Sequence, residues 1–199
     1  MLQLKKIAVT GGIASGKTTV CKLFQTYGAY VINADQIAHQ LLSQNNLQSH
    51  KVIKLFGETI LTDGAIDRKK LANVVFEDKK KLQQLQALIH PFVRQEIQKE
   101  WQEACKKNVP LFVAEVPLLF EARFDTDFDA TILVVCDEET CSARFCKKHN
   151  STKQDYERRA RFLMPVEEKC QKATYIIDNS KTFRELEEQV KHLFTKLIY

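Results

Sequence analysis

Apolar residues recur along this chain in two rhythms. Short, nearly unbroken apolar runs rich in Val and Ile stand at Lys6–Thr10, Tyr30–Asn33, Leu111–Glu115, Thr131–Cys136 and Thr174–Ile177. Runs of this kind suit parallel strands covered on both faces. Between them, apolar residues fall at helical spacing. The alternation predicts an α/β protein: a five-stranded parallel sheet with helices on both faces.

The gap between the second and third strands is long and helical. Asp67 can cap a helix through Leu71, Val74 and Val75. A further apolar set follows at Leu82, Leu85, Leu88 and Ile89, and another at Phe92, Val93, Ile97, Trp101 and Ala104. Pro91 disfavours helical geometry at His90, so a break or kink is expected between these sets. The stretch is too large for one crossover helix and reads as a helical insert over about 36–108. A second basic helical region runs from Thr140 to Lys172, with a helix end expected at Pro165. Thr182 and Glu185 form a capping-box pattern, opening a last helix with Leu186, Val190, Leu193 and Leu197 on its buried side. The expected organisation is one domain, with its core at about 1–35, 109–140 and 173–199 and a small helical lid at about 141–172.

Residues Gly11 to Thr18 read Gly-Gly-Ile-Ala-Ser-Gly-Lys-Thr, the G-x-x-x-x-G-K-[ST] pattern of a P-loop. A strand precedes it and a helical pattern follows, which is the context the motif needs. Glycines at 11, 12 and 16 allow backbone angles that side chains forbid. Successive N–H groups can then point at one anion, and the helix start adds its positive end. Lys17 can carry its charge to the β- and γ-phosphates, and the Thr18 hydroxyl suits a Mg²⁺ ligand.

Acids follow several strands. Asp35 follows the second; it can take up or orient a hydroxyl proton, help hold Mg²⁺, or cap the helix that begins nearby. Glu115 and Asp137 each end an apolar strand, so either could be the second acid of a phosphate site. Asp137-Glu138-Glu139 reads better as the acidic first turn of a helix. Val116-Pro117-Leu118-Leu119-Phe120-Glu121 is unusually apolar for a loop, a pocket wall or a core-packing segment. The arginines from 144 to 161 suit either a lid over transferring phosphate or a solvated helix face.

Composition narrows the class. The chain has 199 residues, 30 basic and 25 acidic, and a net charge of +5. That mild excess fits a polyanionic small ligand; no basic stretch interleaved with aromatics points to nucleic acid, and Lys79-Lys80-Lys81 reads as a solvated helix turn. Six cysteines show no Cys-x-x-Cys pair, and the even spacing of Cys136, Cys141 and Cys146 matches no common zinc pattern. They are expected to be free thiols in a reducing compartment. No signal-type segment or apolar stretch of about 20 residues exists, so a cytoplasmic protein without membrane association is expected. No obligate protein partner is expected.

The ordered set of motifs resembles the dephospho-CoA kinase family over nearly the whole chain. It comprises Thr10–Thr18, Ala34-Asp35, Phe56-Gly57, Asp63-Gly64, Asp67-Arg68, His90-Pro91, Val116–Glu121 and Ile177-Asp178-Asn179, with Pro-Leu-Leu-Phe-Glu the most telling member. The resemblance implies transfer of the ATP γ-phosphate to the ribose 3′-hydroxyl of dephospho-CoA. It implies ATP on Gly12, Ile13, Ala14, Ser15, Gly16, Lys17, Thr18 and Thr19, with Mg²⁺ held by Thr18 and Asp35. Asp35, Lys17 and Arg144 become the catalytic candidates, and Arg144 and Arg159 the lid contacts to nucleotide. The insert goes to the acceptor, with Asp35, Arg68, His90, Leu118 and Glu121 as substrate-binding candidates. Three departures stand out: the family often has aspartate at Asn33, arginine at Lys148 and glutamine at Leu163. Lys148 keeps charge without bidentate geometry, and Leu163 offers no hydrogen bond. The alternative enzyme is a nucleoside or nucleoside-monophosphate kinase. A GTPase switch is disfavoured, since neither Asn-Lys-x-Asp nor Asp-x-x-Gly occurs.

Overall fold

The computed structural model describes residues 4–43 and 46–199. Residues 1–3 of the expected core and 44–45 of the expected insert lie outside the described residues. The chain divides into two compact units, residues 1–33 with 99–199, and residues 34–98.

The first unit holds the parallel sheet. Its strands are β1 (Lys6–Gly11), β2 (Tyr30–Asn33), β5 (Phe112–Glu115), β6 (Ala130–Val135) and β7 (Tyr175–Asp178), in the order β2-β5-β1-β6-β7. Every neighbouring pair is parallel. Each strand lies within one residue of its expected bounds, because continuous apolar runs have few other solutions. β1 and β5 are buried throughout. On one face, Ile7, Val9, Val113, Ile132, Val134 and Ile177 pack against helix α1 (Lys17–Thr26) and helix α9 (Phe183–Ile198). α1 contributes Val20, Cys21, Leu23 and Phe24, and α9 contributes Leu186, Val190, Leu193 and Leu197. The Thr182 and Glu185 capping box opens α9 as its sequence announces.

Helix α6 (Glu138–His149), α7 (Lys153–Ala160) and α8 (Val166–Lys172) occupy the basic region. Pro165 differs from expectation: it precedes the first turn of α8 and ends no helix. Its missing N–H costs nothing there, because first-turn amides lack intrahelical acceptors anyway. Asp137 is the N-cap of α6 and accepts from Thr140 N at 2.8 Å.

The second unit contains α2 (Ala34–Ser43), α3 (Leu47–Phe56), α4 (Arg68–Phe76) and most of α5 (Lys79–Cys105). Asp67 caps α4 as expected, accepting from Lys69 N and Lys70 N. A small antiparallel hairpin, β3 (Leu61–Thr62) and β4 (Ala65–Ile66), precedes it. Its turn is Asp63-Gly64, both at positive φ, the form that an Asp-Gly pair favours.

α5 runs through Pro91 without the expected break. Ile89, Val93 and Ile97 fall at i, i+4 spacing and are all buried. Burying each is worth about 1.5–3 kcal/mol, together more than the ~3 kcal/mol an internal proline costs. No helix among the described residues is long and apolar enough to cross a membrane.

Candidate active site

β1 delivers the chain into the loop from Gly11 to Gly16, and α1 begins at Lys17. The loop's backbone is special at three points. Gly16 has φ 100°, and a Cβ there would collide with the side-chain amide of Asn179. Gly11 has φ 156°, and a Cβ there would meet the Val134 carbonyl and the Ser15 hydroxyl. Ala14 takes φ 55°, a left-handed position that no glycine marks in the sequence. Gly12 departs from expectation, since its φ is not positive and a Cβ there would touch nothing.

Asn179, buried after β7, ties this loop to the sheet. Its Nδ2 donates to Ser15 O at 2.8 Å and its own N–H donates to Val135 O at 2.8 Å. The Ser15 hydroxyl is buried with no hydrogen-bond partner among the described residues. Lys17 Nζ donates to Gly12 O at 2.7 Å and Gly11 O at 3.2 Å, which holds its charge over the loop. The first amides of α1 have no acceptor within the helix. The result is an anion seat made of main chain, one ammonium and a helix start.

Of the two strand-end acids, Glu115 is the one that meets Thr18. Its side chain ends β5 and is 5% exposed. Oε1 accepts from the Thr18 hydroxyl at 2.9 Å and Oε2 accepts from Asn33 Nδ2 at 2.8 Å. Asp137 is committed to its cap, and those hydrogen bonds from Thr140 lower its pKa. A threonine hydroxyl whose proton is directed to a carboxylate keeps its lone pairs free as a hard oxygen donor, so Thr18 fits Mg²⁺.

Arg144 lies along the ends of β6 and β7. Its NH1 approaches Cys136 Sγ at 3.4 Å and its NH2 donates to Asn179 O at 3.4 Å. Arg159, on α7, stacks its guanidinium over the Phe145 ring at 5.5 Å. Ile13 and Ala14 of the loop pack against the cluster of Cys141, Phe145 and Tyr156. The arginine-bearing helices therefore touch the phosphate loop directly.

Glu121 has an internal partner that its sequence context did not reveal. Its Oε1 accepts from Met164 N at 2.9 Å and lies 2.8 Å from Lys169 Nζ. Lys169 is 1% exposed. The pair is ionic without hydrogen-bond alignment, since Nζ and Glu121 Oε2 have no hydrogen-bond partner among the described residues. Leu118 is half-buried, while Leu119 and Phe120 beside it are core residues.

In the second unit, Asp35 is exposed and stands inside the first turn of α2, one residue past the helix start. Arg68 opens α4 and is exposed. His90 is half-buried on α5; burial, and secondarily the Arg94 charge, pull its pKa below the usual histidine value.

A parallel sheet in this order, a phosphate loop after its central strand and a threonine bound to a strand-end acid define a P-loop phosphotransferase. Residues 5–185 match the family model described as dephospho-CoA kinase. The chain belongs to the dephospho-CoA kinase family. It is 40% identical to the dephospho-CoA kinase of Chlamydia felis over 198 residues, covering 99% of this chain and 98% of that one. Its fold superposes on a crystal structure from Thermus thermophilus with TM-score 0.82 and 31% identity, covering 98% of each chain. A dephospho-CoA kinase structure from Campylobacter jejuni matches with TM-score 0.70 and 28% identity, covering 96% of each chain.

Proposed function

We infer that this protein transfers the γ-phosphate of ATP to the 3′-hydroxyl of the dephospho-CoA ribose, the last step of coenzyme A synthesis. The observation that carries the site reading is the Thr18 hydroxyl held 2.9 Å from the buried Glu115 carboxylate at the head of α1. The main-chain amides of Gly12 to Thr19 and Lys17 hold the β- and γ-phosphates, so the transferring group is fixed before reaction. Thr18 and Asp35 would hold Mg²⁺, with Glu115 orienting Thr18; the ion supplies neutralisation of charge on the phosphate oxygens. Asp35 takes up or orients the proton of the acceptor hydroxyl. Arg144 faces charge that develops on the phosphoryl group, and Arg159 contacts the nucleotide. Arg68, His90, Leu118 and Glu121 line the acceptor's place, with residues 36–108 its binding insert and 141–172 the lid. The protein works in the cytoplasm.

The deciding experiment measures phosphate transfer from ATP with Mg²⁺ to dephospho-CoA, alongside a panel of nucleosides and nucleoside monophosphates. Turnover on dephospho-CoA exceeding every other acceptor by at least about 100-fold is expected. Comparable turnover on a nucleoside monophosphate would overturn the assignment.

A further inference from the structure

We propose that Cys136 and Cys141 are a peroxide-sensitive thiol pair whose closure to a disulfide weakens nucleotide binding. Asp137 is the N-cap of α6, so Cys136 precedes the cap and Cys141 is the fourth helical residue. Side chains at these two positions meet in the hydrophobic staple of a helix start. Here both are cysteines. The Cys141 thiol donates toward the Cys136 carbonyl across 3.9 Å, and Cys136 packs against the cluster that contains Cys141.

The two thiols have unequal environments. Cys141 is buried, and burial pushes its pKa to about 12. Cys136 is partly exposed, with the Arg144 guanidinium 3.4 Å from its sulfur. Peroxide therefore reaches Cys136 first, because its sulfur belongs to the less buried residue of the pair. Asp137 Oδ2, 3.8 Å away, accepts from the Cys136 thiol. In the first step Cys136 sulfur attacks one peroxide oxygen and breaks the O–O bond. Hydroxide leaves, takes up the thiol's proton as water, and Cys136 becomes a sulfenic acid. In the second step Cys141 sulfur displaces that hydroxyl; its proton leaves with it as a second water. The two thiols are oxidised by two electrons and one peroxide is reduced.

A continuous set of contacts links the pair to the phosphate loop. Arg144 bridges Cys136 Sγ to Asn179 O, and Asn179 Nδ2 holds Ser15 O. Cys141 also belongs to the cluster against which Cys136, Ile13 and Ala14 all pack. Drawing Cys136 sulfur onto Cys141 removes the acceptor of Arg144 and shifts that support. This effect rests on the nucleotide-binding role proposed above, whereas the thiol chemistry stands without it.

The test treats the reduced full-length protein with hydrogen peroxide, blocks free thiols with N-ethylmaleimide and digests with trypsin. Residues 124–144 form one tryptic peptide holding Cys136 and Cys141 and no other cysteine. Expected is a peptide two hydrogens lighter and unlabelled, which accepts two labels after dithiothreitol. ATP affinity should fall by about 5-fold or more on oxidation and recover on reduction. In C141S the lighter peptide and the affinity change should both vanish. Full labelling of both cysteines, at a peroxide dose that oxidises the exposed Cys105, overturns the pair. A disulfide that forms with unchanged ATP affinity overturns the coupling. Failure of the reduced protein to bind ATP overturns the nucleotide reading instead, and the peptide mass still decides the thiol chemistry.

Discussion

The Thr18 hydroxyl donates to Glu115 across 2.9 Å, joining the first turn of α1 to the end of β5. The other carboxylate oxygen accepts from Asn33 at the end of β2. Buried carboxylate oxygens need such hydrogen-bond partners. The consecutive elements α1 and β2 thus converge on one acid of the distant β5, at the carboxyl edge of the sheet, where open α/β folds place their ligands.

Replacing Glu115 with Gln keeps an acceptor for Thr18 but turns an amide NH₂ toward Asn33 Nδ2, donor against donor. Because Glu115 acts through Thr18, E115Q is expected to raise the Mg²⁺ concentration for half-maximal turnover by about 10–100-fold. Magnesium titrations of the ATP-dependent rate check this. An unchanged requirement would show that Glu115 does not orient Thr18 toward the ion.

Asp35→Asn removes the proposed proton acceptor while leaving the phosphate loop intact. Turnover should drop by about 100-fold or more, with ATP affinity nearly constant. Lys17→Ala should lower both. Steady-state kinetics with calorimetric ATP binding separates the two patterns; near-normal turnover in D35N defeats the assigned role.

Lys169→Met leaves the Glu121 carboxylate without its cation in a buried place. Breaking one side of such a pair costs about 3–5 kcal/mol. The double variant E121Q/K169M should recover part of that loss, since no charge is left behind. Urea unfolding of both variants provides the measurement, and a K169M protein as stable as the parent contradicts it.

His90 titrates below its ordinary value of 6.5 because burial, then Arg94, disfavours the imidazolium. The unfolded chain therefore binds the proton more readily than the folded one. Its contribution is fully present above about pH 6.5 and is lost as the pH falls through the folded pKa. His90→Gln should flatten the dependence of melting temperature on pH between 7 and 5. Parallel melting curves for both proteins would show that the histidine has no such role.

Much of this architecture was readable before any coordinates. Val-Ile runs with no polar interruption favour buried parallel strands, and all five such runs are strands, although Ile176 of the edge strand β7 is half exposed. The phosphate loop was equally plain, since strand, glycine turn and helix each left a local mark. Other features left none or a misleading one. Pro91 suggested a break, because the buried stripe of Ile89, Val93 and Ile97 that offsets it is a tertiary quantity. The Asp63-Gly64 hairpin had a signal, an Asp-Gly pair, but its strands are only two residues each. The glycine at 12 points to a special backbone angle there, but Ala14 holds the left-handed position instead.

What the sequence alone determined is therefore whatever depends on neighbours a few residues away: strand runs, caps at Asp67 and Thr182, the acidic helix start at Asp137, the phosphate loop and the family. Only the tertiary structure decided which acid meets Thr18, that Asn179 braces Ser15, and that Lys169 neutralises Glu121. Each of those contacts joins residues more than 40 positions apart. Periodicity and propensity act over a few residues, while a hydrogen bond between distant strands exists only once the sheet order has brought them side by side.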